Sequence, residues 1–159
     1  MDLNSLTCKM AALCSKREYC TSQIRERLKR HSDAELSALE IDSVIDFLVK
    51  EGYLNDRRFA LAYVNDKLVF NGWGRRKISY GLIMLGVASS DIEFALTEKY
   101  ASKYKSVLNK LMASKFKELV SLDDNIATLK VIKYLTGRGF DYDEIRAAIS
   151  YYNATRDAV

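Results

Sequence analysis

The sequence predicts an all-α fold: three tandem helix-turn-helix-like units in an elongated, curved body. Three observations predict it. The 159 residues include no proline, a composition that suits unbroken helix, because proline removes a backbone donor and crowds the preceding turn. Ile78, Leu82, Gly86, Val87, Ile92, Ala95 and Leu96 recur 53 positions later as Val131, Leu135, Gly139, Phe140, Ile145, Ala148 and Ile149. A weaker copy lies upstream, where Ile24 and Leu28 match Ile78 and Leu82, and Val44, Phe47 and Leu48 match Ile92, Ala95 and Leu96. Its turn is six residues longer and has Ser32 where glycine would fall.

The repeated spacing has a physical meaning. Apolar residues four apart share one helix face. A glycine one turn later ends the helix by taking the left-handed conformation. Asp91 and Glu144 then fall in the first turn of the next helix, where a carboxylate suits the positive helix end. Units this small cannot hold a large core alone, so neighbours must lean on one another. Such an array presents a long surface to an extended partner.

Along the chain, Ser15-Lys16-Arg17-Glu18 has the pattern of a capping box and predicts a helix through about Arg30, with Ile24 and Leu28 on one face. Ser32-Asp33-Ala34-Glu35 predicts a second, short helix by the same pattern. Ile41, Val44, Ile45 and Leu48 carry helical spacing through Lys50, and Glu51-Gly52 ends that run. Asn55 or Asp56 caps the next helix, which extends to about Phe70 with Phe59, Tyr63 and Leu68 inward. Asn71-Gly72-Trp73-Gly74 is the clearest break. Helices follow over 75–85, from Ser90 into the Ala101 region, and through Leu108, Leu111 and Phe116. Ser121 to Asp124 opens a long helix that stops at Gly137-Arg138-Gly139, and Asp141, with Glu144 three residues on, caps the last one.

Hydrophobic residues make up 48% of the chain and the formal net charge is +4. Cys8, Cys14 and Cys20, six apart, match neither zinc-ligand spacing nor an even disulfide set, and read as buried or half-buried thiols in a reducing cytoplasm. No apolar leader opens the chain and no run of about 20 apolar residues follows, so a cytoplasmic protein with no membrane contact is expected. The single histidine, His31, reads as a solvated turn residue beside Arg30. Gly72-Trp73-Gly74 lacks the third glycine and preceding strand of a dinucleotide fingerprint. Acidic pairs such as Asp123-Asp124 sit at helix starts, where they cap. No catalytic residue, metal ligand or cofactor is expected, and the protein is expected not to be an enzyme.

The charge is uneven. Lys9, Lys16, Arg17, Arg25, Arg27, Lys29 and Arg30 face only Glu18 and Glu26 in the segment ending at His31, a local +5. Arg57, Arg58, Lys67, Arg75, Arg76 and Lys77 face only Asp66, again +5. Arg75-Arg76-Lys77 opens a helix against its dipole, which points to an external use. Trp73 beside the triplet suits an interface anchor or a packed module junction. Lys16, Arg17, Arg25, Arg27, Arg57, Arg58, Trp73, Arg75, Arg76 and Lys77 are therefore the candidate partner- or DNA-binding residues, for nucleic-acid phosphate or an acidic protein surface.

Leu48-Val49-Lys50-Glu51-Gly52-Tyr53-Leu54-Asn55-Asp56-Arg57-Arg58-Phe59-Ala60, then Gly72-x-Gly74 with basic residues and Ile78, then Leu135-x-x-Arg138-Gly139-Phe140 with Ile145, occur in that order. Together, over residues 10 to 152, they resemble the RecX regulatory proteins. The resemblance implies tandem three-helix repeats, here expected over 1–54, 55–118 and 119–159. It implies a monomeric, non-enzymatic modulator that lies along the groove of the RecA filament on DNA, suppressing ATP hydrolysis and strand exchange in recombination and repair. Direct contact with single- or double-stranded DNA is a property of some such proteins. Gly81 and Leu85 depart from the acidic residue and lysine that family members often carry there, and the stretch from His31 to Glu40 is an insertion.

A rival reading is a stand-alone helix-turn-helix-like DNA-binding protein, whose second helix would read the major groove. Asp91-Ile92-Glu93 and Asp143-Glu144-Ile145 argue against it, because they put carboxylates where such a helix meets DNA. An adaptor with no nucleic-acid role would leave the basic clusters as solvated faces.

Overall fold

The computed structural model describes residues 2–31 and 35–158. Among the described residues there are nine α-helices, one π-helical segment and no strand. Repeat 1 holds α1 (Leu3–Lys16), α2 (Thr21–His31) and α3 (Ala38–Lys50). Next come α4 (Asp56–Val69), α5 (Arg75–Met84) and α6 (Ser89–Ala95), extended by π turns over Leu96–Tyr100. Then follow α7 (Tyr104–Glu118), α8 (Asp124–Gly137) and α9 (Tyr142–Asp157).

Packing gathers these helices in threes. α3 packs on α1 and α2, α4 packs on α5, α6 and the π segment, and α7 packs on α8 and α9. The sequence expectation joined α7 to the second repeat; its main packing is on α8 and α9, and its contact with α4 bridges the two groups. The accessible surface is 9961 Å², against about 8,000 Å² for a compact globule of 18.1 kDa. The excess is the signature of an extended body.

The 53-position match is a match of structure. All twelve apolar residues of the two copies are buried. Gly86 and Gly139 take φ of 73° and 94°. In one turn Gly86 N–H donates to Ile83 O and Val87 N–H to Leu82 O, and in the other Gly139 N–H donates to Thr136 O and Phe140 N–H to Leu135 O. This is the Schellman pattern, which satisfies helix-end carbonyls and folds the next apolar residue back onto the core. In the weaker copy Ile24, Leu28, Val44 and Leu48 are buried, but Phe47, matched to Ala95, is 45% exposed.

The first turns of the chain differ from expectation. Ser15 does not cap a helix; it lies inside α1, with its hydroxyl donating to Ala11 O at 2.9 Å. The buried stripe Leu6, Met10 and Cys14 holds α1 together and outweighs the local capping pattern. α2 instead begins at Thr21, whose N–H and hydroxyl both donate to Asp56 Oδ1, at 2.8 and 3.0 Å. Most of the capping pattern at 32–35 lies outside the described residues. The box observed there is Ser37 with Glu40, which opens α3. Cys14 and Cys20 are buried, whereas Cys8 is exposed, because it sits off the Leu6–Met10–Cys14 stripe. Tyr152 stacks on Phe116 over the last helices, but Tyr151 stands in solvent.

Candidate functional site

The start of α5 shows why cations can stand there. Its N-cap, Gly74, offers no side chain. Gly74 N–H donates to Arg138 O at 2.7 Å and Arg76 N–H to Gly139 O at 3.0 Å. The carbonyl end of α8 thus meets the N–H end of α5, and the two partial charges complement each other. The approach is backbone on backbone. A methyl on Gly74 would collide with Gly139 and Phe140, and one on Gly139 would collide with Lys77. From this turn the triplet fans out. Arg76 Nε donates to Asp141 Oδ1 at 2.7 Å, with the arginine side chain 75% exposed. Arg75 lies 5.7 Å from the Tyr100 ring and Lys77 lies 4.6 Å from the Trp73 ring.

Trp73 is half-buried at this junction and packs against the core shared by the second and third repeats. Lys67 lies 4.7 Å from its ring and 5.4 Å from the ring of Tyr63. In repeat 1, Arg17 and Arg27 lie 4.4 and 5.1 Å from the Tyr19 ring. A groove of about 340 Å³ between the two clusters is lined by Arg17, Gln23, Tyr63 and Lys67, and also by Glu18 and Asp66. Cations and aromatic rings therefore alternate from the first repeat into the second. Each such contact stabilises by about 0.5–1 kcal/mol when exposed, enough to orient a charge while leaving it open to a partner.

The other candidates are engaged within the molecule. Arg25 Nη1 donates to Asp42 at 2.7 Å. Arg57 Nε donates to Asp91 at 2.9 Å and its guanidinium lies 4.3 Å from the Phe94 ring. Arg58 Nε donates to Glu18 at 2.6 Å while its Nη2 donates to Gly52 O at 2.9 Å. Lys16 is exposed at the end of α1 and, like Arg17, Arg27, Arg75 and Lys77, has no carboxylate partner among the described residues. The sequence counts Lys67 in the second basic cluster and places Tyr63 inward, but neither they nor Tyr19 stand among the candidate contacts. Lys67 comes to Trp73 only because Gly72, at φ 65°, turns the chain back so that Trp73 N–H donates to Lys67 O.

One titratable pair lies under the α5 start. Tyr100, buried, donates its hydroxyl to Glu144 Oε2 at 3.0 Å. Burial raises both groups above their ordinary values; for Glu144 the Tyr100 hydroxyl and the Asp141 N–H pull the other way. Among the described residues no group of three or more His, Cys, Asp or Glu is placed to hold a metal ion. No described helix is long and apolar enough to cross a membrane.

The α4–α6 unit matches a family model described as RecX, second three-helix domain, over residues 55–96. A regulatory protein RecX of Vibrio parahaemolyticus is 30% identical over 149 residues, which cover 92% of this chain and 92% of the relative. The chain belongs to the RecX family. A RecX of Clostridium tetani is 28% identical over 112 residues, 69% of this chain and 51% of the relative, so the chain spans about half of that longer protein. The crystal structure of RecX from Lactobacillus salivarius superposes with a TM-score of 0.85 over 96% of this chain and 97% of that one, at 17% identity. A second crystal structure, of a regulatory protein RecX, gives 0.79 over 93% and 71%, at 20% identity. At these identities the agreement is one of fold. Within the RecX fold, Gly81 has a local reason: a methyl there would strike the Tyr63 hydroxyl.

Proposed function

We propose that this RecX-family protein binds the RecA filament assembled on DNA and lowers its ATP hydrolysis and strand exchange, serving recombination and DNA repair in the cytoplasm as a monomer without chemistry of its own. Membership of a family of regulatory proteins carries the reading. The extended surface and the alternating cations and rings support it. A long body suits a helical filament, and positioned cations suit its phosphates and acidic side chains. Arg17, Arg27, Trp73, Arg75 and Lys77, with Lys16 at the edge, are the contacts we assign first. Arg25, Arg57, Arg58 and Arg76, tied to carboxylates, come second.

The stand-alone DNA-binding reading is weaker. Asp91 on α6 is held by Arg57, and Glu144 on α9 accepts from Tyr100. Glu93 and Asp143, on the same two helices, stay exposed, so a major groove would still meet carboxylates there. The test is salt-dependent binding, by fluorescence anisotropy, to RecA filaments and to bare DNA of the same length. Tighter binding to the filament, weakening as salt rises, is expected. Equal affinity for bare DNA would favour the rival.

A further inference from the structure

We infer that the junction between α4 and the third repeat carries a separate binding site for an acidic segment of a partner protein, anchored by one large apolar side chain. A groove of about 560 Å³ opens there between the end of α4, the first half of α7 and the α8–α9 turn. Phe70, Val107 and Leu111 form its apolar wall and Lys103, Lys110 and Arg138 its charged rim; every other lining residue is uncharged. Phe70 is 79% exposed, although Leu68, two residues earlier, is fully buried. A single exposed apolar residue is ordinary. An exposed phenylalanine beside an apolar hollow, with three cations and no carboxylate around it, is a pattern with a complement.

The hollow is built in advance. Arg138 Nη1 donates to Asn71 O at 2.6 Å across the junction. Gly72 lets Leu111 close in, since a Cβ there would sit 3.1 Å from Leu111 Cδ1. The site therefore needs little reorganisation on binding. A cavity of this size takes one large side chain and its adjoining backbone. Aliphatic walls suit a branched or aromatic anchor, while the rim suits carboxylates on the residues beside it. A nucleic-acid strand asks for successive aromatic platforms along a cationic track. Here one ring borders an aliphatic hollow with no run of further rings beside it, which favours the peptide.

The inference does not depend on RecA, and its test contains none. The full chain is titrated into a fluorescein-labelled peptide bearing a run of aspartates before a phenylalanine, with anisotropy as readout. Saturable binding is expected, weakened roughly tenfold by Phe70→Ser and again by Lys110→Glu, and retained by Lys110→Arg. Both positions are exposed, so helicity should not change. Replacing the peptide's phenylalanine by alanine should weaken binding by a similar factor. Absence of binding by the unaltered protein would overturn the proposal, as would affinity indifferent to both substitutions. Oligothymidylate binding that depends on Phe70 and Lys110, without peptide binding, would also overturn it and assign the groove to nucleic acid.

Discussion

The two joints between repeats are built differently. Repeats 2 and 3 share one core, running from Phe59 to Ile149, and meet backbone to backbone at Gly74 and Gly139. Repeat 1 has its own core, from Leu6 to Leu54, and among the described residues lends only Cys20 to the other. Its joint is made mostly of polar side chains. Asp56 receives Thr21, Glu18 receives Arg58, and the Ser22 hydroxyl donates to Leu85 O at 2.6 Å. Glu18 Oε2 is buried there with no hydrogen-bond partner among the described residues. Side-chain joints with little apolar burial open at lower free energy than shared cores. The second and third repeats thus share one core, and the joint to the first is expected to open at lower free energy.

The largest expected effect lies at the rigid joint. Gly139→Ala should cost about 3 kcal/mol, from a left-handed backbone and an unavoidable collision. Urea unfolding should show it, and hydrogen exchange should accelerate in α5 and α8 while α1 and α3 keep their protection. Acceleration spread evenly over all three repeats would break the comparison. Leu28→Ala, in the separate core, should cost a comparable or slightly smaller amount, about 2–3 kcal/mol. Its faster exchange should stay within repeat 1.

Asp56→Ala removes the cross-joint cap of α2. A destabilisation of about 1–2 kcal/mol is expected, since the carboxylate accepts from two donors. Exchange at the start of α2 should rise most. Glu144→Gln tests the buried pair by pH. Burial raises the folded-state value of Glu144 above its ordinary 4.5, so folding favours the protonated form. That contribution is present below about pH 4.5 and is lost as pH rises through the higher folded value. Stability of Glu144→Gln relative to the unaltered protein should therefore grow between pH 4 and 7 in urea melts. The smallest effect on stability, within about 0.5 kcal/mol, is expected from replacing Arg75, Arg76 and Lys77 together by alanine, because backbone hydrogen bonds hold that joint.

How much of this was legible in the sequence follows the same division. The second and third repeats could be read because a residue pattern and its conformation coincide: each matched apolar position is buried and each matched glycine turns left-handed. The first repeat was harder. Ser15 to Glu18 looks like a helix start, yet Glu18 is used by Arg58, 40 positions away. Similarly, Asp91 holds Arg57 over 34 positions and Asp141 holds Arg76 over 65. Charge counts along the chain showed where cations gather. Which of them are neutralised depends on carboxylates delivered by the fold, and that no local spacing records.

The proposed contact with the filament is assigned first to Arg75 and Lys77, which have no carboxylate partner among the described residues, with Arg76, paired to Asp141, between them. DNA-dependent ATP hydrolysis by RecA, titrated with the unaltered protein and with the Arg75→Ala, Arg76→Ala, Lys77→Ala variant, tests it most directly. Inhibition by the unaltered protein should require several-fold more of the variant. The salt dependence of its filament binding should also fall, by about one log–log unit for each phosphate that the variant no longer neutralises. Unchanged inhibition and salt slope, with normal helicity, would contradict the account and reduce the triplet to a solvated face.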